Sequence, residues 1–569
     1  MEAVRFDTYY RYDDLTRLLH DYTSRHPGLA RLQSIGRSFE GRDIWLVTIT
    51  RFATGPDSGK PALWVDANIH SAELVASAAA LRLIDHLLSS YGSDPEVTRC
   101  LDTRVFYICP RANPDGAEWA LADIPKLIRS STRPYPFDEV PVDGLVTGDI
   151  DGDGRILTMR IADPNGPWKI CPEEPRLLVR REPTETGGDY YRLLPEGRLE
   201  NYDGSTITLQ TRKENLDLNR NFPGRWRSEH EQQGAGCYPT SEPEVHALVD
   251  FVATHRNVCA GIALHSYSGA LLRPYSYQAD EQMPVEDLWA FQKIGEQGQA
   301  LTGYPAISAY HEFRYHPQKV ITVAMDDWLY EELGLFAWTV EIWSPQRQAG
   351  IGEYKFIDWY REHPHADDLK LLAWSDTVLQ GQGYIDWYPW EHPQLGRVEL
   401  GGWNPLYSFW NPPPRLLQQE IDRLPGWLIW HNLISPFLEL PQSGSEAVAP
   451  DTFRVWCVVQ NSGWLPTDLT RHARDRKLVR GVVCEIELPD GATLIGDTPR
   501  KVLGQLEGRS GKPSSPSGWA GQATDVTDDR LRVEWLVRGE AGMKLRLVAR
   551  HDRAGTIEAT VTLQDGGHP

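Results

Sequence analysis

Apolar and polar positions alternate along the chain in two rhythms. The stretch YRYDDLTRLLHDYTSRHP (10–27) carries apolar residues at helical spacing, and SIGRSFEGRDIWLVTIT (34–50) reads as a hairpin. PALWVDANIH (61–70) is a short apolar run that turns polar at its end, the signature of a buried strand. The Ala- and Leu-rich ELVASAAALRLIDHLLSSYG (73–92) predicts a helix ending near Gly92. TRVFYICPRANPDG (103–116) is another buried strand running into a turn. Helix and strand alternate again through VHALVDFVATH (245–255), CAGIALHSYS (259–268) and FAWTVEIW (336–343). This alternation predicts an α/β sheet with helices on both faces. Ligands of such sheets bind beyond the carboxyl ends of strands, where His70, His265 and Glu341 fall.

Other segments break the rhythm. Residues 120–216, rich in Pro, Gly, Asp and Arg, predict a long irregular insertion with some hairpins inside a domain spanning 1–400. Residues 401–450 predict a Pro- and Trp-rich, partly helical extension, with PRLLQQEIDRLPGWLIWHNL (414–433) as its helix and QSGSEAVAPD (442–451) as a linker. From 451 to 569, FRVWCVVQNSG, VRGVVCEIEL, LRVEWLVRG, MKLRLVARHD and TIEATVTL alternate with period two, which predicts an all-β sandwich. The first of these runs is similar to bacterial Ig-like spacer modules.

Composition narrows the picture. With 569 residues the chain is too long for one core, and 41% apolar with 24% charged residues is globular composition. The 58 basic and 79 acidic residues give a net charge of −21, which argues against nucleic acid as a partner. No apolar run reaches a membrane span. The N-terminus lacks a basic start followed by an apolar stretch, which predicts a cytoplasmic protein, or a secreted one if a leader has been trimmed. Seven scattered cysteines without a CxxC pair predict reduced thiols rather than a cysteine metal knuckle. The 21 Trp rings serve core packing or a binding cleft.

Candidate chemistry centres on three places. His70 and Glu73, three apart across a strand-to-helix turn, can aim at one point, and a catalytic zinc takes three such ligands and keeps one position open. His265 is the first polar residue after an apolar strand. Each signal alone also fits a cap or a hydrogen-bonded core residue. Glu341 stands inside the apolar run FAWTVEIW, where a carboxylate needs either a structural partner or a proton-transfer role.

Taken in order, GRSFEGR (36–42), the His70–Glu73 pair, RANPDG (111–116), DLNRNF (217–222), LHSYS (264–268) and the Glu341 strand resemble the carboxypeptidase A/B (funnelin) family of zinc exopeptidases. The likeness runs from Tyr9 to about Glu341, and more loosely to about residue 400. It implies a mixed eight-stranded sheet between helices, one zinc held by His70, Glu73 and His265, and Glu341 as general base. The implied activity is removal of C-terminal amino acids from peptides with a free terminal carboxylate. Asn219 and Arg220 match the pair that grips that carboxylate. Arg129 matches the arginine that stabilises the oxyanion, with Arg133 as the competing choice. Tyr267 matches a subsite tyrosine. Asp326 falls at the floor of the specificity pocket, where it would favour terminal Lys or Arg, or it caps the helix that follows.

Three departures stand out. Ala72 replaces an arginine common before the ligand Glu. The mobile-loop tyrosine aligns with Lys319, with Tyr315 nearby. The insertion is longer than in the digestive enzymes. Asp149, Asp151 and Asp153 match the opening of a calcium loop, yet Arg160 occupies the twelfth position, so either calcium or a solvated acidic turn fits. Two other functions stay open: an amidase acting on peptidoglycan-type or modified peptides, and an idle peptide- or glycan-binding protein.

Overall fold

The computed structural model describes residues 4–136, 143–314, 316, 320–352, 354–510 and 526–564. Its centre is an eight-stranded mixed sheet. The strands are β1 (Ala30–Arg37), β2 (Asp43–Ile49), β3 (Ala62–Ala67), β4 (Val105–Cys109), β5 (Val258–Ser266), β6 (Ala270–Arg273), β7 (Ala306–Ser308) and β8 (Phe336–Ile342). Their spatial order is β1-β2-β4-β3-β5-β8-β6-β7. The central four, β4, β3, β5 and β8, run parallel and are buried along their whole length, which is why they read as continuous apolar runs. Helices such as Leu74–Ser90 and Pro243–Thr254 cover the faces. Trp64, Tyr107, Phe291 and Trp338 fill the core between them.

The insertion is more ordered than its composition predicts. Strands Thr158–Ala162, Trp168–Ile170, Leu178–Arg180 and Tyr190–Pro195 join Tyr384–His392 and Gly396–Trp403 in one six-stranded sheet. Arg160, in the central part of this sheet, is clasped by Glu399 at 2.8 Å and packs over Trp387. Pro and Gly mark its many turns. The partner strands lie some two hundred residues away, so local pattern could not announce the sheet. A strand therefore also crosses the expected boundary at residue 400.

The expected linker at 442–451 is corrected as well. Leu438–Ala449 is a strand paired antiparallel with Thr452–Asn461. It lies at a sheet edge and most of its side chains face solvent, so its polar composition imitates a linker. Two four-stranded antiparallel sheets then enclose one core of residues such as Phe453, Val455, Trp535 and Leu547. Strand Thr452–Asn461 alternates buried and partly exposed positions without a break, as its period-two pattern predicts. Cys457 and Cys484 face each other across this core, sulfur to sulfur 3.7 Å.

Polar contacts join the sandwich to the first unit. Asp287 accepts the backbone N–H groups of Arg471 (2.6 Å) and His472 (3.0 Å), and the buried Arg553 donates to the carbonyls of Leu333 and Asp468. Gly334 (φ 65°) sits in this joint, where an added Cβ would lie 2.5 Å from the Ala473 side chain. No helix among the described residues is long and apolar enough to cross a membrane.

Candidate metal centre and its cleft

The carboxyl ends of β3, β5 and β8 build the site. Parallel pairing of β5 with β8 sets His265 directly beside Glu341, so both side chains emerge on one face. On the other flank β3 ends at Ala67, and Asn68 takes a left-handed conformation (φ 59°) that turns the chain. The Asn68 side chain donates to the carbonyl of His70 at 2.7 Å and fixes that turn. Helix Leu74–Ser90 starts immediately afterwards and holds Glu73 at its first step.

Three donors converge there. His70 Nδ1 lies 2.8 Å from Glu73 Oε1, His265 Nδ1 lies 3.0 Å from Glu73 Oε2, and the two ring nitrogens are 3.1 Å apart. All three residues are buried. Glu341 is also buried, and its Oε2 has no hydrogen-bond partner among the described residues. Burial, reinforced by the charge of Glu73 and opposed by Arg129, pushes its carboxyl well above the usual range.

Arg129 reaches the same cluster: its Nη1 is 3.5 Å from Glu73 and its Nε 3.0 Å from Asp217. The rival Arg133 forms a two-pronged pair with the fully buried Glu242, at 2.6 and 2.9 Å, and does not line the cleft. Asn219 is held by its own side-chain oxygen, which accepts the N–H of Met325 at 2.9 Å. Asn219, Arg220 and Asp326 line one cavity with His70, His265, Arg129 and Glu341. Asp326 lies in the first turn of helix Met325–Glu331, whose N-cap is Ala324, so it is not the cap. Burial pushes Asp326 up to about 6, and its Oδ1 has no hydrogen-bond partner among the described residues. Tyr267 lines the adjoining part of the cleft, a space of about 420 Å³, and packs edge-on against Phe356 and Tyr360. Tyr315 and Lys319 lie outside the described residues.

Residues 15–136 and 187–362 match the family described as zinc carboxypeptidase. The chain belongs to that family. Residues 437–562 match a domain of unknown function (DUF8731). The chain is 28% identical over 283 residues to carboxypeptidase A2 of Rattus norvegicus, covering 50% of each protein. It is 24% identical over 347 residues to carboxypeptidase A1 of Mus musculus, covering 60% of this chain and 64% of that one. The chain thus spans about half the length of the first of these curated relatives. A solved structure of thrombin activatable fibrinolysis inhibitor covers 75% of both chains at 17% identity and a TM-score of 0.43.

The zinc carboxypeptidase family implies one zinc ion, and the donors fit it. Two imidazole nitrogens and one carboxylate are the set of a catalytic zinc with an open position, and their mutual spacings suit bonds of about 2.0–2.2 Å. Two buried ring nitrogens aimed at each other, both beside one carboxylate, are explained by a shared cation.

Sequence reasoning missed Asp217 as the partner of His70. Its Oδ1 lies 3.1 Å from His70 Nε2, so it orients the ring, while its Oδ2 takes Arg129. Burial raises its proton affinity, but the charges of Arg129, Arg220 and His70 prevail and hold it well below the usual carboxylate range. The signal lay in plain view as the first residue of DLNRNF. The walls formed by Phe356, Tyr360 and Trp410 had no such signal.

The three aspartates also come together, with carboxylate oxygens within 4.8 Å of one another. Each is taken up by its own turn. Asp149 accepts the N–H groups of Gly152 and Gly154, Asp151 accepts that of Asp153, and Asp153 accepts that of Arg155.

Proposed function

We propose that the protein is a zinc-dependent carboxypeptidase that hydrolyses the last amide of peptides bearing a free terminal carboxylate. One observation carries the reading: His70 and His265 of the metal triad, the buried Glu341 carboxylate, whose Oε2 has no partner among the described residues, and the Asn219–Arg220 pair line a single cavity. Zinc, when bound, acts as a Lewis acid that activates water and polarises the scissile carbonyl. His70, Glu73 and His265 hold it, and Asp217 fixes the His70 ring. Glu341 accepts the proton of the attacking water and returns it to the leaving amine, a role suited to a carboxyl whose proton affinity is raised. The Arg129 guanidinium, beside Glu73, stabilises the negative oxygen of the tetrahedral intermediate. Arg220 and Asn219 hold the terminal carboxylate, which excludes cleavage within the chain.

The experiment is direct. The protein loaded with one zinc should release single residues from the C-terminus of a peptide and leave the C-terminally amidated peptide intact. Stripping the ion should stop release, and zinc should restore it. Internal fragments in the mass spectrum would overturn the assignment.

Asp326 is proposed to select terminal Lys or Arg. Burial pushes its carboxyl up to about 6, so acidification through that range favours the neutral form. The preference for Lys over Leu, measured as a ratio of kcat/KM, should therefore shrink as the pH falls through 6. Asp326→Asn should lower that ratio about tenfold at pH 7.5 and remove its pH dependence. A ratio unchanged by the substitution removes Asp326 from specificity.

A further inference from the structure

Helix Leu74–Ser90 presents an unusual start. The first amides of a helix have no intrahelical acceptor and are normally capped by the side chain of the residue that precedes them. Here that residue is Glu73, whose side chain makes no cap hydrogen bond. Its two oxygens are turned to His70 and His265 instead. Turned that way, the carboxylate does not reach the first amides of its own helix.

The missing cap comes from far away in sequence. Asn411 is fully buried, and its Oδ1 accepts the N–H of Val75 at 2.8 Å. Its Nδ2 donates to the carbonyl of Ala72 at 2.7 Å and to that of Leu406 at 3.0 Å. One amide therefore grips the backbone on both sides of Glu73. Val75 is the second residue of the helix, the position an N-cap side chain serves.

The segment carrying Asn411 also touches the rest of the site. Leu406–Trp410 forms a π-helical turn, a form concentrated at functional sites. Within it, the carbonyl of Ser408 accepts the indole N–H of Trp343 at 2.9 Å. Trp343 follows Glu341 by two residues and has a left-handed backbone (φ 77°). Phe409 packs edge-on against Tyr267, and Trp410 lines the cleft. The segment Leu406–Asn411 itself lies beyond 362, where the match to the zinc carboxypeptidase family ends.

We infer that Asn411 is a positioning residue for Glu73: it caps the helix that the metal ligand leaves uncapped, and so makes the segment 404–411 part of the metal site. The inference rests on the zinc reading of His70, Glu73 and His265. Without Asn411, the Ala72 carbonyl and the Val75 amide lose buried partners, and the first turn that aims Glu73 frays.

The test is zinc affinity, measured by competition with a chromophoric chelator. Asn411→Ala should weaken zinc binding about 10–100-fold, the usual effect of removing a partner that orients a ligand. Leu417→Ala is the control. It opens a cavity in the core packed by the same extension while leaving the hydrogen bonds of Asn411 on either side of Glu73 in place, and should lower Tm without moving zinc affinity. Asn411→Asp keeps an acceptor for Val75 but sets a carboxylate against the Ala72 and Leu406 carbonyls. It should fall between wild type and Asn411→Ala, and it carries the comparison alone if the alanine variant does not fold. Affinity unchanged in the asparagine variants, or lowered equally in Leu417→Ala, overturns the inference while the metal site stands. A wild-type protein that binds no zinc overturns both.

Discussion

Glu341→Gln should reduce kcat by roughly 10²–10⁴-fold, with KM and zinc content close to those of the wild type. The amide keeps the size and the buried position of the carboxyl but cannot accept a proton. Glu341 is not among the three converging donors, so the ion should stay. The present carboxylate has an oxygen with no partner among the described residues and a raised proton affinity, which is a costly arrangement to maintain in a core. If it were merely structural, removing its charge would raise stability and leave turnover intact. Metal analysis beside steady-state kinetics separates the cases. Retained turnover defeats the general-base assignment, and loss of zinc would recast Glu341 as support for the metal.

Arg220→Ala should lower kcat/KM on peptides with a free C-terminus by about 10²–10³-fold, or roughly 3–4 kcal/mol, the range for truncating one member of a desolvated charge pair. The residual slow cleavage of C-terminally amidated peptides should not change, because those substrates offer the guanidinium nothing to grip. Arg220→Lys should recover only part of the loss, since an ammonium restores charge but not the planar fork. Arg220 already donates to the carbonyl of Asn219 at 2.6 Å, so the pair works as one unit, and Asn219 is in turn pinned by Met325. An equal loss on free and amidated peptides would mean that Arg220 supports the fold of the cleft rather than the substrate.

Both results bear on the chain beyond 362. If Asn411 aims Glu73 and Ser408 holds Trp343 behind Glu341, a fragment limited to the family-matched residues lacks supports for both carboxylates. The domain of unknown function has a different place. Its contacts through Asp287, Leu333 and Gly334 lie on residues that do not line the cleft.

Much of this was legible in the residues alone. The parallel strands announced themselves because they are buried on both faces, and the sandwich because one face of each strand is wet. His70, Glu73, His265 and Glu341 were visible as the polar groups that end or interrupt apolar runs. Such patterns are local consequences of burial, so a window of ten residues contains them. The tertiary structure alone decided the contacts that join distant windows. It paired His265 with His70 across 195 residues, gave Asp217 to His70 and Arg129, assigned Arg133 to Glu242, and built a sheet from the insertion and strands near residue 400. It also brought Asn411 to a helix start left uncapped by the residue that precedes it. Which buried amide or carbonyl lacks a partner depends on how the whole backbone is satisfied, and the side chain that completes it can come from anywhere along the chain.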